Sequence, residues 1–114
     1  MRKLDSEYVE QVSRGARLLE GKWTVHILCA IRDHPMRLSG LRRAIPSASK
    51  KALTASLRAL ETEGIIRRRD MSSTVLRVEY EVIEMTRSPL SSLLDCLSEW
   101  ARSNSEANAP KSND

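Results

Sequence analysis

The amino-acid sequence predicts a mostly α-helical fold with one small β-hairpin, and three observations support this. Apolar residues recur at helical spacing through most of the chain. Two helical patterns, from Ser39 to Ile45 and from about 49 to 63, follow each other across a tight turn. Two strand-like segments then lie between about 65 and 82, and the second alternates apolar and polar residues. This order predicts a winged helix-turn-helix, with the hairpin as its wing and with additional N- and C-terminal helices.

The length of 114 residues allows one domain, and 40% hydrophobic with 30% charged residues is an ordinary globular balance. We expect this domain over residues 1–102 and a disordered C-terminal tail over 103–114, where there is almost nothing to bury. No stretch approaches the roughly 20 apolar residues of a membrane span. The first residues run into charge instead of an apolar signal region. We therefore expect a cytoplasmic protein with no membrane partner.

Two helices are predicted before the helix-turn-helix. The first runs from Ser6 to Glu20, and Gly21 is expected to end it in a left-handed conformation. The second runs from Trp23 to Ile31 and is apolar nearly all round, which predicts the most buried helix of the fold. Asp33-His34-Pro35 ends it because proline has no amide donor.

The helix predicted from about 49 to 63 has two different faces. Ser39 is expected to cap the short helix before it, Ser49 to cap this helix, and Gly64 to end it in a left-handed conformation. Three leucines share one face, and small or basic residues share the opposite face. The leucines are Leu53, Leu57 and Leu60, and the opposite face holds Lys51, Thr54, Ala55 and Arg58. We expect the leucines to anchor the helix and the basic face to be exposed.

Positive charge is concentrated in the middle third of the chain. Between Arg37 and Arg69 there are nine basic residues against two acidic ones, whereas the remainder has ten basic residues against thirteen acidic ones. Such a local excess is typical of a phosphate-binding face. A solvated basic surface without a ligand is the alternative interpretation.

The arginines of the hairpin do not form one group. Strand alternation places Arg67 and Arg69 on one face and Arg68 on the other, so we expect at least one of them to be solvated or paired with an acid. Arg77 in the return strand either reaches a phosphate or pairs with an acid such as Glu79 or Asp70.

A last helix is predicted from Ser88-Pro89, since proline is tolerated in a first turn. It carries a long apolar stripe of Leu90, Leu93, Leu94, Leu97 and Trp100. Together with Tyr8, Val9 and Val12 of the first helix, this is more apolar surface than one small domain easily hides. A dimer interface is therefore the expected use of both stripes.

The residues from about Val12 to Trp100 resemble the HxlR-type winged-helix transcriptional regulators of bacteria and archaea. Four segments carry the resemblance through their order and spacing: Leu19-Glu20-Gly21-Lys22-Trp23-Thr24, Leu41-Arg42-Arg43-Ala44-Ile45-Pro46, the segment from Leu53 to Glu61, and Arg77-Val78-Glu79-Tyr80. The resemblance implies a homodimer held by the first and last helices. It also implies a recognition helix at about 49–63 in the major groove of double-stranded DNA and a wing at about 65–82 near the minor groove. A transcriptional repressor is the expected function.

The candidate DNA-binding residues divide by chemistry. Lys50, Lys51 and Arg43 are expected to contact phosphates, whereas Thr54, Ala55 and Arg58 are placed to meet base edges. Ser49 either donates to a phosphate or only caps its helix. The hairpin candidates are Arg67, Arg69 and Arg77. The sequence does not indicate which operator is bound or whether a small-molecule effector exists.

The sequence also bears on three classes of function other than DNA binding. No glycine-rich phosphate loop, metal-ligand cluster or nucleophile with a recognisable base is present, so we do not expect an enzyme or a cofactor. His26 and Cys29 lie one helical turn apart, which leaves a metal-sensing module as an alternative, although packing of both side chains is favoured. Cys29 and Cys96 are expected to be reduced, packed thiols. A protein-interaction module that binds an acidic partner is the third alternative.

Overall fold

The computed structural model describes residues 4–71, 73 and 75–107, which form five helices and one antiparallel sheet of two strands. The elements are α1 (Ser6–Leu18), α2 (Thr24–Ile31), α3 (Leu38–Ala44), α4 (Lys50–Thr62), β1 (Ile66–Asp70), β2 (Val78–Val82) and α5 (Glu84–Ala107). The chain divides into two units, the first ending at Ile83 and the second beginning at Glu84. The mostly helical winged helix-turn-helix predicted from the sequence is confirmed.

The core of the first unit is built from α2, α3, α4 and the hairpin. Each of these elements contributes branched apolar side chains that are less than 2% exposed: Ile27, Leu28, Ile31, Leu41, Leu53, Leu57, Ile66 and Val82. Their burial removes apolar surface from water, which is the main favourable term in folding. The helix-turn-helix and the hairpin are therefore held by one common core.

Two of the four predicted helix caps are confirmed and two are wrong. Ser49 is the N-cap of α4, and Gly64 follows that helix with a φ of 75°. Gly21 has no positive φ, because α1 ends three residues earlier with right-handed backbone. Ser39 lies inside α3, whose N-cap is Arg37.

The hairpin is shorter than the alternating pattern predicts. β1 and β2 pair from Ile66 opposite Val82 to Asp70 opposite Val78. The alternation of apolar and polar residues begins at Leu76, but this residue precedes β2 and is 73% exposed. The alternation in the sequence extends beyond the last paired residue. It indicates which residues are apolar, but it does not indicate where the partner strand ends.

The last helix differs from the prediction at both ends. It begins at Glu84 instead of Ser88, so Pro89 lies inside the helix and not in its first turn. It continues through Ala107, so residues 103–107 are helical where a disordered tail was predicted. Positions 108–114 lie outside the described residues. Within the described part of the chain, no helix is long and apolar enough to span a membrane.

The second helix is less buried than its composition suggests. Thr24, Ile27, Leu28 and Ile31 of α2 are buried, but His26 and Cys29 are exposed on its other side. Cys29 and Cys96 are both free thiols, as predicted, but both are exposed and neither is packed. The prediction failed because an apolar helix surface does not show whether the same chain covers all of it.

Candidate nucleic-acid interface

The helix α4 is fixed from behind by its leucines and at its start by its cap. Leu53, Leu57 and Leu60 are at most 3% exposed and point into the core. The Ser49 hydroxyl oxygen accepts a hydrogen bond of 3.0 Å from the backbone N–H of Ala52, which satisfies one of the free amides of the first turn. The orientation of the opposite face is thereby fixed.

The opposite face of α4 forms a shallow, open concavity of about 510 Å³. It is lined by Lys50, Lys51, Thr54, Ala55 and Arg58, of which only Thr54 is half-buried and the rest are exposed. The structure thus brings five of the predicted site residues together on one accessible surface. Arg43, near the end of α3, is also exposed.

The charges on this face have no counter-ion within the described part of the chain. Among the described residues, no acidic side chain pairs with Arg43, Lys50, Lys51 or Arg58. The first turn of α4 contains no acidic residue and instead holds two lysines at the positive end of the helix dipole. Cations at that end are unfavourable for the helix. The result is a concentrated positive potential that suits an anion such as a phosphate.

The two hydroxyl groups of the predicted site are engaged by the backbone. Thr54 donates from Oγ1 to the carbonyl oxygen of Lys50 at 2.8 Å. This bond uses the only hydroxyl hydrogen of Thr54 and leaves its methyl group and its acceptor lone pairs for other contacts. Ser49 caps the helix, which is one of the two roles predicted for it.

In the hairpin, Arg67 and Arg69 bind one carboxylate. Arg67 Nε lies 2.5 Å from Glu81 Oε1, and Arg69 Nη1 lies 3.4 Å from Glu81 Oε2. The Glu81 side chain is only 8% exposed, whereas the two arginine side chains are 61% and 44% exposed. The three side chains together carry a net charge of +1, so half of the predicted positive charge of this pair is already compensated.

Opposing effects act on the pKa of Glu81. Burial raises it, because desolvation penalises the charged form. The hydrogen bond and positive charge of Arg67, followed by the charge and hydrogen bond of Arg69, outweigh that effect and hold the pKa of Glu81 below its ordinary value of 4.5. Glu81 is thus ionised at neutral pH. The sequence predicted that at least one hairpin arginine is solvated or paired with an acid but did not identify Glu81 as that acid, which follows from the register that places it opposite Arg67.

The other two arginines of the hairpin have different surroundings. Arg77 precedes β2, is exposed, and accepts a hydrogen bond of 2.7 Å at its carbonyl oxygen from the Met71 N–H. Arg68 lies on the opposite strand face from Arg67, as predicted, and lines a cavity together with Arg37. Neither Arg37 nor Arg68 is among the site residues predicted from the sequence.

Comparison with known proteins decides the family. Residues 18–109 match the HxlR-like helix-turn-helix family. The chain belongs to this family. It is 36% identical over 98 residues to an HTH-type transcriptional regulator of Methanothermobacter thermautotrophicus, covering 86% of this chain and 74% of that protein. It is 37% identical over 94 residues to the HTH-type transcriptional regulator YtcD of Bacillus subtilis, covering 82% and 74%.

Solved structures agree with this assignment. The redox regulator HypR in its reduced form matches with a TM-score of 0.76 at 29% identity, covering 85% of this chain and 95% of that one. A MarR-family regulator from Enterococcus faecalis matches with a TM-score of 0.80 at 22% identity, covering 96% of both, and supports the fold alone. This HxlR-like protein is a transcriptional regulator of the winged helix-turn-helix type, a class distinct from enzymes.

The predicted dimer stripes of the regulator are partly accessible. On α1, which has no buried residue, Tyr8, Val9 and Val12 are 63%, 38% and 55% exposed. On α5, Trp100 is 69% and Leu93 42% exposed, and Leu97 is half-buried. Leu90 and Leu94, which were predicted at the same interface, are 7% and 6% exposed in the single chain.

His26 and Cys29, the residues of the metal-sensing alternative, line an apolar groove. The groove has a volume of about 390 Å³ and lies along α2, beside Ala44 and Ile45. The Trp23 ring contacts the His26 ring edge-to-face, with centroids 5.1 Å apart. Residues 4–71, 73 and 75–107 contain no cluster of three or more histidine, cysteine or acidic side chains suited to a metal ion.

Proposed function

We propose that this regulator binds double-stranded DNA sequence-specifically as a homodimer, with α4 in the major groove and the hairpin near the adjacent minor groove. One observation carries the proposal: α4 presents an exposed basic face on the side opposite its buried leucines, and no described residue supplies a counter-ion to it. An α-helix fits the major groove, and lysine and arginine neutralise the phosphates on either side.

Phosphate and base contacts are assigned to different residues of α4. Lys50 and Lys51 at the start of the helix, with Arg43 of α3, contact phosphates. Arg58, two turns further along, pairs with a guanine, and such a bidentate contact discriminates against other bases by about 1–3 kcal/mol. The methyl groups of Thr54 and Ala55 contact a thymine methyl or allow close approach of the helix.

The assignment of phosphate and base contacts is tested by removing one positive charge from each of the two groups of residues. After selecting bound fragments from genomic DNA, the affinities of Arg58→Ala and Lys51→Ala are measured for the selected duplex and for random DNA. Arg58→Ala should weaken the specific complex by about 5- to 150-fold per protomer, from the energy of one bidentate contact, with a smaller effect on random DNA. Lys51→Ala should weaken both by a similar factor.

A matched control removes a positive charge elsewhere. Arg17 lies on α1 with its Nη2 3.6 Å from Glu10 Oε1, outside the proposed interface. Arg17→Ala should leave both affinities within about twofold of the parent protein. Equal losses on the two DNAs for Arg58→Ala and Lys51→Ala would refute the assignment of base and phosphate contacts.

The proposed partner of the exposed apolar stripes is a second copy of this chain. Tyr8 and Val12 on α1 and Trp100 on α5 expose large apolar surfaces that water solvates poorly. Val12→Glu should shift the sedimentation coefficient of the protein to that of a monomer at micromolar concentration. Gln11→Glu introduces the same side chain off the stripe and should leave the dimer intact, whereas dissociation of both variants would point to general destabilisation.

Repression is proposed from the resemblance to HxlR-type regulators, because a dimer bound across a promoter excludes RNA polymerase. In vitro transcription from a promoter that overlaps a selected site should fall as the protein is added. A rise in transcription would reverse the assignment.

Access to genomic DNA requires the cytoplasm, which is the expected compartment.

A further inference from the structure

A second basic site lies where the residues before α3 meet the hairpin. A cavity of about 300 Å³ opens there, and it is separate from the concavity on α4. Its polar lining consists of Arg37, Ser39, Arg68 and Tyr80, and its apolar lining includes Leu76 and Val78. All six residues belong to the first unit of the chain.

Backbone pairing fixes the two arginines near each other. Met36 and Tyr80 exchange two backbone hydrogen bonds, of 3.0 and 2.8 Å, so residue 36 lies along the free edge of β2. On the other edge of β2, Tyr80 is the register partner of Arg68. The segment at Arg37 and the strand at Arg68 are thus two strand spacings apart, about 10 Å, which two arginine side chains can bridge.

The charges of this cavity are not compensated as those of the opposite face are. Glu81 binds Arg67 and Arg69 on the other side of the strand. No carboxylate is found among the described residues that line the cavity, and neither Arg37 nor Arg68 pairs with an acid in the described part of the chain. Two arginines that line one cavity repel each other, and a bound anion would offset that repulsion.

We infer that the Arg37–Arg68 cavity binds a phosphate group, which the DNA backbone beside the hairpin supplies. Guanidinium N–H groups donate to the phosphate oxygens, a pairing that arginine geometry favours. The hydroxyl groups of Ser39 and Tyr80 are further donors, and Leu76 and Val78 offer an apolar wall to an adjoining sugar. The inference rests on the proposed DNA binding, and it assigns the hairpin contact to Arg68 instead of Arg67 and Arg69.

The salt dependence of DNA affinity counts the phosphates that the protein neutralises. The slope of log K against log salt concentration should become shallower by about 0.9 per protomer in Arg68→Ala, on specific and random duplexes alike. At 0.1 M salt this corresponds to about an eightfold loss of affinity per protomer. Arg37→Ala should lower the slope as well, and the double variant should lose no more than one phosphate, because both arginines bind the same group.

Two further variants separate this site from a general effect of charge. Arg68→Lys keeps the charge and should retain most of the slope. Arg67→Gln removes an arginine from the same strand whose guanidinium is already bound to Glu81, and it should change the slope by less than half as much as Arg68→Ala. A loss of slope for Arg67→Gln with none for Arg68→Ala would overturn the inference. Circular dichroism of each variant confirms that the fold is retained.

Titration of the DNA-free protein with inorganic phosphate identifies the source of the anion. NMR signals of the arginine Nε–Hε groups should shift in the parent protein and not in the double variant. Phosphate shifts with an unchanged DNA slope would overturn the backbone source and leave a site for free phosphate. No phosphate shifts and an unchanged slope would refute the cavity as a phosphate site. If Lys51→Ala still weakens DNA binding in that case, the proposed function stands without it.

Discussion

Replacing Glu81 with glutamine tests the buried carboxylate that holds the two hairpin arginines. The change keeps the shape and one acceptor oxygen but removes the charge that Arg67 and Arg69 share. A hydrogen bond to a charged group contributes about 1.5–3 kcal/mol when fully formed. Only the 2.5 Å contact is short, and both arginines remain in water, which screens them. We therefore expect Glu81→Gln to lower the free energy of unfolding by about 1–2 kcal/mol at neutral pH.

The pH dependence of this loss has a defined sign. Because the pKa of Glu81 is lowered in the folded protein, its stabilising charge is fully present above the ordinary value of 4.5 and is lost as the pH falls through the lowered value. The stability difference between the parent protein and Glu81→Gln should thus be constant from neutral pH to about pH 5 and shrink in more acidic solution. Urea unfolding followed by circular dichroism, at one protein concentration, measures it.

A neighbour on the same strand face provides the control. Glu79 is the register partner of Arg69, but it makes no ion pair with the described residues. Glu79→Gln removes the same charge from β2 and should cost less than half as much stability as Glu81→Gln. An equal loss for both variants, or a Glu81→Gln difference that persists unchanged into acid, would refute the ion-pair explanation.

The remaining predictions concern a core leucine of α4, the glycine that follows this helix and a glycine of α1, and thermal or urea unfolding measures all of them. Leu57→Ala, at a position that is 0% exposed, should cost about 2–5 kcal/mol, whereas Leu57→Met should cost less than about 1.5 kcal/mol because it keeps the volume. Gly64→Ala should cost about 1–2 kcal/mol, since its φ of 75° strains any side chain. Gly15→Ala, in an open position on α1, should instead stabilise the protein by about 0.5–1 kcal/mol. Destabilisation by both glycine variants would contradict the conformational argument.

The features predicted correctly from the sequence are those that short segments specify by themselves. Ser49 caps α4 because its hydroxyl oxygen reaches an amide three residues along, and Gly64 follows that helix because glycine tolerates the left-handed region. The spacing of Leu53, Leu57 and Leu60 fixed the buried side of α4 and, with it, the exposed basic side. Each of these predictions needs no knowledge of which distant residues meet.

The features that were missed depend on distant residues. Glu81 alternates with apolar residues as a solvated glutamate would, and only its pairing with Arg67 across 14 positions explains why the carboxylate is tolerated in a buried place. Arg37 and Arg68 share a cavity because Met36 pairs with Tyr80, a contact between segments 44 residues apart. Similarly, a proline at position 89 favours a helix start but does not require one, so α5 begins at Glu84.

The placement of charge on α4 suits the proposed contact with DNA and does not stabilise the helix itself. Lys50 and Lys51 occupy its first turn, where the helix dipole disfavours cations by about 0.3–1 kcal/mol each and where acidic residues would stabilise it. The residues of the core and the cap account for why α4 forms, and neither accounts for these lysines. A phosphate at that position would turn the same dipole and both charges into favourable interactions. The unfavourable local electrostatics are therefore an argument for DNA binding that is independent of the family resemblance.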